Sequence, residues 1–377
     1  MQDFIHLHVH TQYSILDGQA SIPKLVDKAI ANGMKGMAVT DHGNMFGIKE
    51  FFNYVKKVKG KNPDLDFMPI FGCEVYCARR RKELKEGKMD QSGYHLILLA
   101  KNEKGYHNLI KIVSRAWVDG FYMRPRTDHA DLEKYHEGLI CCSACLAGEV
   151  PVFIRNGQMD KAEEAVLWFK NLFGDDYYLE LQRHEVKDPM QRANRETFPL
   201  QQQVNRGLIE LAAKLHVKLV CTNDVHFVDE ENAEAHDRLI CLSTGKDLDD
   251  PTRMLYSKQE WFKTKEEMND IFSDVPEALS NTLEVLSKVE AYNIDHAPIM
   301  PNFAIPESFG TEEEYRQRIS EKELFDEFTQ DENGNVVMSE EEGLKKIKRL
   351  GGYEKLYRIK FEADYLAKLS YEGAKKL

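Results

Sequence analysis

Histidine residues alternate with apolar residues at the start of the chain, as His6, His8 and His10. Side chains two positions apart on a strand share one face, so an extended segment here would direct all three imidazoles to the same side. Neutral imidazole is a common nitrogen ligand for zinc, manganese and iron, and three imidazoles would form a poor apolar core. One His-x-His pair alone would be more typical of a solvated terminus. A metal site is favoured because similar polar clusters recur along the chain.

Short apolar runs with strand character alternate with helical patterns as far as about residue 225. Seven such β/α units without obvious hairpin signals favour a mostly parallel sheet. An open doubly wound sheet is possible, but the repetition of similar units favours a barrel. The runs expected to form strands are 4–8, 36–40, 68–75, 94–100, 138–143, 177–181 and 217–222.

Residues able to bind metals lie at or just beyond the carboxyl ends of these predicted strands. Barrel enzymes build their active sites on that face. Scattered surface histidines would not be sorted in this way, so the pattern predicts one shared site. The residues concerned are His8, His10, His42, Glu74, His95, Cys145, Asp224 and His226.

The composition limits the kind of protein this can be. A length of 377 residues allows one large α/β domain with an appendage, and the formal net charge of -12 argues against a surface that generally coats nucleic acid or membrane. A polyanionic partner would need a local basic patch. Seven cysteines, without a signal peptide or a long apolar run, indicate a reduced, cytoplasmic protein with no membrane contact.

The pattern changes after about residue 227, where helices follow one another without strands. A loop containing Pro298, Pro301 and Pro306 excludes regular structure and indicates a boundary. We therefore expect two regions, 1–280 with the strands and a helical extension, and 281–377 as a linker and an acidic, helical part. The chain ends in a charged helix without a closing element, so we expect it to be a fragment.

Seven dispersed motifs, in order, resemble the PHP (polymerase and histidinol phosphatase) superfamily. Within it they are similar to the PHP domain at the N-terminus of the alpha subunits of bacterial DNA polymerase III. The motifs are His8-Val9-His10, Asp17-Gly18, Thr40-Asp41-His42-Gly43-Asn44, Gly72-Cys73-Glu74, Tyr94-His95-Leu96, Cys145-Leu146-Ala147-Gly148-Glu149 and Thr222-Asn223-Asp224-Val225-His226.

The resemblance implies a distorted seven-stranded β/α (TIM-like) barrel, followed by the mostly helical start of a polymerase palm region. It also implies up to three divalent metals, which the mixed donor set restricts to zinc, manganese or iron. The nine ligand positions of the family correspond here to His8, His10, Asp17, His42, Glu74, His95, Cys145, Asp224 and His226.

The same resemblance implies that the chain is the N-terminal part of a replicative polymerase subunit. Expected partners are a DNA primer-template and other replisome subunits, namely a sliding clamp and proofreading or clamp-loader subunits. The catalytic carboxylates of the polymerase palm are not among these residues, so we do not expect the chain to add nucleotides by itself.

A cluster of histidines and carboxylates holding several metals is suited to phosphoester hydrolysis. The hypothesis is a metal-dependent 3′-5′ exonuclease used in proofreading, with Glu74 as a bridging carboxylate and Asp224 with His226 closing the site. Candidate substrate-binding residues are Arg124, Arg126, Arg183 and His184.

Less specific interpretations compete with these. Cys145 could belong to the apolar core, Asp17 to a turn, and Glu74 to a buried pair with a lysine. For the whole chain, one alternative is a non-catalytic, metal-stabilised scaffold that docks a separate proofreading subunit. Another is a free-standing small-molecule phosphatase, for which the proline loop and acidic tail have no evident use.

Overall fold

The chain folds into two compact units. The computed structural model describes residues 1–186, 188, 190–298 and 303–377, without the side chains of residues 192 and 193. The first unit is Met1–Asp295 and the second is His296–Leu377. The division falls later than the expected one at 280/281, because a helix runs across that position and its Asn281 donates to the carbonyl oxygen of Leu219 at 2.8 Å. Residues 299–302 of the expected proline loop lie outside the described residues.

A single sheet of seven strands forms the centre of the first unit, with the order β1-β2-β3-β5-β6-β7 and β4 beside β2. The predicted strand regions from residue 36 onward coincide with strands of this sheet, and the predicted α/β class is confirmed. The strands are β1 Gly36–Val39, β2 Met68–Ala78, β3 Gly93–Ala100, β4 Arg126–Thr127, β5 Leu139–Cys142, β6 Tyr177–Leu181 and β7 Lys218–Cys221.

Strand β3 runs antiparallel to both of its neighbours, β2 and β5, whereas the other strand pairs are parallel. The sheet is thus mostly parallel, but β2 and β3 form a hairpin that we did not expect from the sequence. Their connection, residues 79–92, has no short turn motif, and the highly charged sequence of residues 78–93 predicts a mobile loop. Instead the loop is held in place, because Lys82 is only 2% exposed and its Nζ lies 2.7 Å from Asp131.

The N-terminal segment closes the barrel. On one side its His6 and Val9 carbonyl oxygens accept hydrogen bonds from the amides of Ala38 and Thr40, at 2.9 and 2.8 Å. On the other side the amide of His10 donates to the carbonyl oxygen of Val225 at 2.7 Å. The segment therefore lies between β1 and the chain that follows β7, but its residues 4–8, which were predicted to form a strand, form none.

Helices cover the sheet and form most of the second unit. The helix α1 is typical, because Pro23 lies in its first turn and Leu25 and Val26 are buried. No described helix is long and apolar enough to cross a membrane. The helices are α1 Ile22–Ala31, α2 Ile48–Lys61, α3 Gly87–Asp90, α4 Glu103–Val118, α5 His129–Tyr135, α6 Glu149–Arg155, α7 Met159–Phe173, α8 Arg192–Glu196, α9 Phe198–Leu215, α10 Ala233–Thr244, α11 Lys265–Ile271, α12 Pro276–Ser287, α13 Glu312–Arg318, α14 Glu321–Thr329, α15 Glu340–Leu350 and α16 Tyr353–Ala374.

The second unit has a small core of its own, built around Leu324, Ile347, Leu356 and Tyr357. Three of its helices begin with a capping box, in which a Ser or Thr and a Glu three residues later satisfy the first free amides. The local sequence thus determines where these helices start, in agreement with the helical region expected there.

Candidate metal centre

Predicted ligands converge at one end of the barrel into three overlapping groups. In each group the donor atoms lie within 4.8 Å of one another. His10 belongs to two groups and Glu74 to two, so the groups form one continuous cluster. They are His8 with His10 and Glu74, His10 with His42 and His226, and Glu74 with His95 and Cys145.

Glu74, on β2, is fully buried at the middle of this cluster. Its Oε2 lies 2.5 Å from Nδ1 of His42, and its Oε1 lies 2.9 Å from Nδ1 of His95 and 3.3 Å from Nε2 of His8. Burial by itself would raise the pKa of this carboxyl, but the histidines His95 and His42 outweigh burial and hold the pKa well below its usual range. Glu74 is therefore an ionised carboxylate shared by three imidazoles.

Asp224 and His226 approach the cluster from the end of β7. The Oδ1 of Asp224 lies 3.0 Å from Nε2 of His8 and 3.3 Å from Nε2 of His10. Despite burial, which raises it, the pKa of Asp224 is held well below its usual range by His8 and by hydrogen bonds to His10 and His8. The Nδ1–H of His226 donates to the carbonyl oxygen of Asp224 at 2.7 Å, which leaves its Nε2 as an acceptor toward the cluster.

Asp17 lies at the outer side of the cluster. Its Oδ2 is 2.9 Å from Nε2 of His42, and its Oδ1 accepts a hydrogen bond from the hydroxyl of Tyr256 at 3.0 Å. The same hydroxyl lies 3.3 Å from Nε2 of His226. Tyr256 was not predicted, because it comes from an irregular segment after α10 that carries no motif.

Cys145 places its sulfur 3.5 Å from Nδ1 of His95 and 4.0 Å from Oε1 of Glu74. The preceding residue, Ala144, has a positive φ of 61°, and Asp224 has one of 48°. Left-handed backbone at a non-glycine residue is costly and often occurs at functional sites, where the surrounding structure imposes it. In this structure the thiol faces donor atoms rather than the apolar core.

A further carboxylate, Glu180 on β6, supports the cluster from behind. Its Oε1 lies 2.6 Å from Nδ1 of His8 and accepts hydrogen bonds from Thr222 at 2.5 Å and Gln182 at 3.1 Å. Sequence reasoning missed this residue. The available signal was a charged residue inside an otherwise apolar strand, since a buried charge needs partners.

The hydrogen bonds made by each imidazole show where its free lone pair points. They therefore test whether the cluster could bind a metal ion. His8 directs Nδ1 to Glu180, and His10 directs Nδ1 to the hydroxyl oxygen of Ser14 at 3.0 Å, which itself donates to Asp41 at 2.8 Å. With hydrogens assigned from these bonds, both Nε2 atoms turn lone pairs toward each other at 3.1 Å. Lone pairs at this distance repel unless a positive charge lies between them.

The distances between the donor atoms agree with a cation bound between them. The Nε2 atoms of His8 and His10 and the Oδ1 of Asp224 are separated by 3.0, 3.1 and 3.3 Å. Ligands bound tetrahedrally at about 2.1 Å would lie roughly 3.4 Å apart. The donor set of imidazoles, carboxylates and one thiol therefore fits divalent zinc, manganese or iron.

Without a cation, protons must supply the missing charge. Burial alone would lower the pKa of His8, but the carboxylates of Asp224 and Glu180 raise it well above its usual value. Burial and the neighbouring His42 and His226 lower the pKa of His10 to about 3. A single proton on His8 can thus separate the facing nitrogen atoms in the metal-free protein.

Two of the predicted substrate-binding residues are buried and bind backbone carbonyl oxygens in this structure. Arg126 is fully buried, and its guanidinium donates to the carbonyl oxygens of Gly120 and Lys82 at 3.0 and 2.7 Å. His184 is 4% exposed and its Nε2 lies 3.1 Å from the carbonyl oxygen of Asn223.

The other two predicted substrate-binding residues are more accessible. Arg183 forms a two-point ion pair with Asp274. Arg124 is exposed, and its guanidinium lies 5.9 Å from the ring centre of Tyr76. That ring meets the imidazole of His95 edge-on at 5.2 Å, so Arg124 is the predicted substrate contact that lies beside the cluster.

Comparison with known proteins identifies relatives of this chain. Residues 6–184 match the family described as the PHP domain. Over 320 residues this chain is 43% identical to DNA polymerase III subunit alpha of Borreliella burgdorferi, covering 84% of this chain and 26% of the relative. Its identity to the same subunit of Treponema pallidum is 37% over 373 residues, covering 98% and 28%.

The chain thus spans about a quarter of the length of these relatives. One similar solved structure is a histidinol phosphate phosphatase from Lactococcus lactis complexed with zinc, histidinol and phosphate, with a TM-score of 0.34 and 12% identity over 66% of this chain and 95% of that one. Another is an amidohydrolase from Chromobacterium violaceum, with a TM-score of 0.35 and 14% identity over 59% and 87%.

Proposed function

We propose that this chain is the PHP-containing part of a replicative DNA polymerase alpha subunit, and that its metal centre hydrolyses phosphodiesters at DNA 3′ ends. The observation that carries this proposal is the pair of facing Nε2 atoms of His8 and His10, 3.1 Å apart beside Asp224, because it supports the metal centre that hydrolysis requires. A protein that needed only a packed barrel would not bury imidazoles in this way.

The centre would hold up to three divalent ions, one for each donor group. Bound there, zinc, manganese or iron would polarise phosphoryl oxygens and lower the pKa of a water molecule toward neutrality. Glu74 would be shared between two groups, and Cys145 makes its group the one best suited to zinc or iron.

Other residues would orient the donors. Glu180 accepts the Nδ1 proton of His8 and so keeps Nε2 of that ring as the donor atom. The carbonyl oxygen of Asp224 does the same for His226. The hydroxyl of Tyr256 donates to Asp17, which leaves the other oxygen of that carboxylate for His42.

The test is cleavage of a 3′-labelled single strand and of a recessed duplex by protein stripped of metal and reloaded with manganese or zinc. Asp224→Asn and His8→Ala should lose at least about a hundredfold in rate. His136→Ala, a histidine that binds the carbonyl oxygen of Glu133 outside the three groups, should cleave like the wild type. Equal rates in all four proteins would contradict catalysis at this centre.

A scaffold function is the second candidate, and one observation favours it. The donors His8 and Asp224 belong to the segments that close the barrel, one at the N-terminus and the other after β7. Metals at this position would hold the closure together even without hydrolysis. This function would leave the labelled strands intact while bound metal still raised the unfolding temperature.

A further inference from the structure

Three aromatic side chains form an exposed cluster next to the metal centre. Phe46 is 59% exposed, Trp117 42% and Phe121 44%. The rings of Trp117 and Phe121 are stacked with centres 5.5 Å apart and planes 17° apart, and Phe46 lies 6.4 Å from Trp117. We call these three residues the aromatic platform. Large aromatic rings contribute strongly to binding surfaces, so their clustered exposure calls for an explanation.

The platform is fixed to the metal centre. The indole Nε1–H of Trp117 donates to the carbonyl oxygen of Gly43 at 2.8 Å, and Gly43 directly follows the donor His42. The amide of Gly43 in turn donates to the carbonyl oxygen of Glu74 at 2.8 Å. Two hydrogen bonds through the backbone of Gly43 therefore connect the platform to the residues of the metal centre.

Gly43 also limits the geometry of this region. Its φ is +60°, and a Cβ atom there would lie 2.7 Å from Cγ of Pro125 and 3.1 Å from the ring of Tyr76. This close contact between Gly43 and Pro125 places the neighbouring Arg124 on the same side of the metal centre as the platform. Arg124 is exposed, and no carboxylate lies within 4.0 Å of its charged nitrogens in the described part of the chain.

We propose that the aromatic platform binds the bases of a single-stranded nucleic acid, with Arg124 on its phosphates, and so presents the strand end to the metal centre. This rests on the function proposed above and narrows its substrate to unpaired 3′ ends. Exposed aromatic rings beside a cation are the usual means of binding single strands without reading sequence. A small phosphate ester would have no use for the platform.

The carboxylates around the platform are compatible with a negatively charged nucleic acid. Asp119, the acidic residue closest in sequence to Phe121, is paired with Arg115 at 3.3 Å. Glu50, which follows Phe46 in the next helix, accepts a hydrogen bond from Tyr13 at 2.7 Å. Although the whole chain carries a net charge of -12, the carboxylates flanking the platform have partners of their own.

The experiment measures binding of a fluorescent ten-nucleotide oligothymidylate by anisotropy, in chelator so that no cleavage occurs. An abasic oligonucleotide of equal length and charge is the comparison. The wild type should bind the oligothymidylate more tightly than the abasic strand. Phe46→Ala and Phe121→Ala should each weaken binding of the oligothymidylate at least about fivefold, and leave the abasic strand unaffected.

Tyr371→Ala is the matched control, because that tyrosine is 73% exposed in the other compact unit. It should bind both strands like the wild type, and all variants should unfold at the wild-type temperature. Equal affinity of the wild type for the two strands would overturn the proposal, as would unchanged binding in both platform variants. Either result would show that the platform does not bind nucleobases.

Hydrolysis of bis(p-nitrophenyl) phosphate by the wild type with manganese separates this proposal from the function on which it rests. The ester carries no nucleobase and is not a nucleic-acid strand, so its hydrolysis reports on catalysis at the metal centre without requiring the binding of a strand. Base-dependent binding without ester hydrolysis would contradict the proposed catalysis but support the platform. Ester hydrolysis without base-dependent binding would do the reverse.

Discussion

Nδ1 of His8 lies 2.6 Å from Oε1 of Glu180, and both side chains are completely removed from solvent. A carboxylate behind a metal-binding histidine fixes the tautomer of the ring and raises its basicity as a ligand. Through this pair, Glu180 on the interior strand β6 orients a histidine that supplies a donor atom to the metal centre.

Replacing Glu180 by Gln should weaken metal binding about 10- to 100-fold, the range found for residues that orient a metal ligand. The amide keeps the shape of the side chain but removes the charge that holds the proton on Nδ1 of His8. Competition with a chromophoric chelator would measure the change. Glu284→Gln is the control, since that carboxylate binds Tyr178 and Lys218 away from the cluster. An unchanged affinity in the Glu180 variant would show that the pair does not support metal binding.

Removing metal should lower the unfolding temperature of the chain. A ligand present at a hundred times its dissociation constant stabilises by about 2.7 kcal/mol. At roughly 2–4 °C per kcal/mol for a domain of this class, chelation should cost about 5–10 °C. Calorimetry with and without chelator would test this, and in Asp224→Asn the difference should shrink. If the wild type unfolds at the same temperature in both conditions, metals do not hold the barrel closed.

The two arginines near the platform should behave differently when each is changed to Met. Arg126→Met leaves three carbonyl oxygens without their donor, so unfolding should become easier by about 2–3 kcal/mol. The salt dependence of DNA binding should not change. Arg124→Met should leave the free energy of unfolding unchanged. It should reduce the slope of log binding constant against log salt concentration by about one. The reverse pattern in denaturation and binding titrations would contradict the assignment of these residues.

Lys263 should make stability depend on pH. The side chain is 2% exposed beside the ring of Trp261, and burial lowers its pKa to about 7 from its usual 10.5, although Glu260 opposes the shift. The unfolded chain then binds more protons between these values, so stability should rise as pH increases from about 7 to 10.5.

Lys263→Met removes this titration. Urea unfolding at pH 6, 8 and 10 should show the variant more stable than the wild type at pH 6, with the difference narrowing toward pH 10. A difference that does not vary with pH would mean that the lysine titrates normally.

The sequence predicted that eight of the nine proposed donors would lie together, because each of the eight follows a recognisable apolar run, whereas Asp17 was expected only from the family resemblance. His8, His42 and Asp224 lie far apart in the chain, but strand ends place them together whatever the details of the helices. The direction of β3 could not be predicted in the same way. Its reversal depends on a loop that is held by the buried Lys82, and burial of a lysine has no local signature.

The sequence also could not predict the residues that act on the metal centre only by binding its donor residues. Tyr256 and Glu180 have no motif, and their roles appear only when their partners Asp17 and His8 are in place. The burial of Arg126 was also not expected. Lys and Arg in loops are mostly exposed, but this guanidinium satisfies backbone carbonyl oxygens inside the fold.

Anomalous scattering from a crystal of the chain grown with manganese tests the central claim most directly. The account predicts peaks within about 2.0–2.3 Å of donor atoms in the three groups, with Glu74 contacting more than one of them. Saturating manganese with no peak between His8, His10 and Asp224 would contradict the account, because these three donors would then bind no metal ion and a proton on His8 would suffice to hold them together.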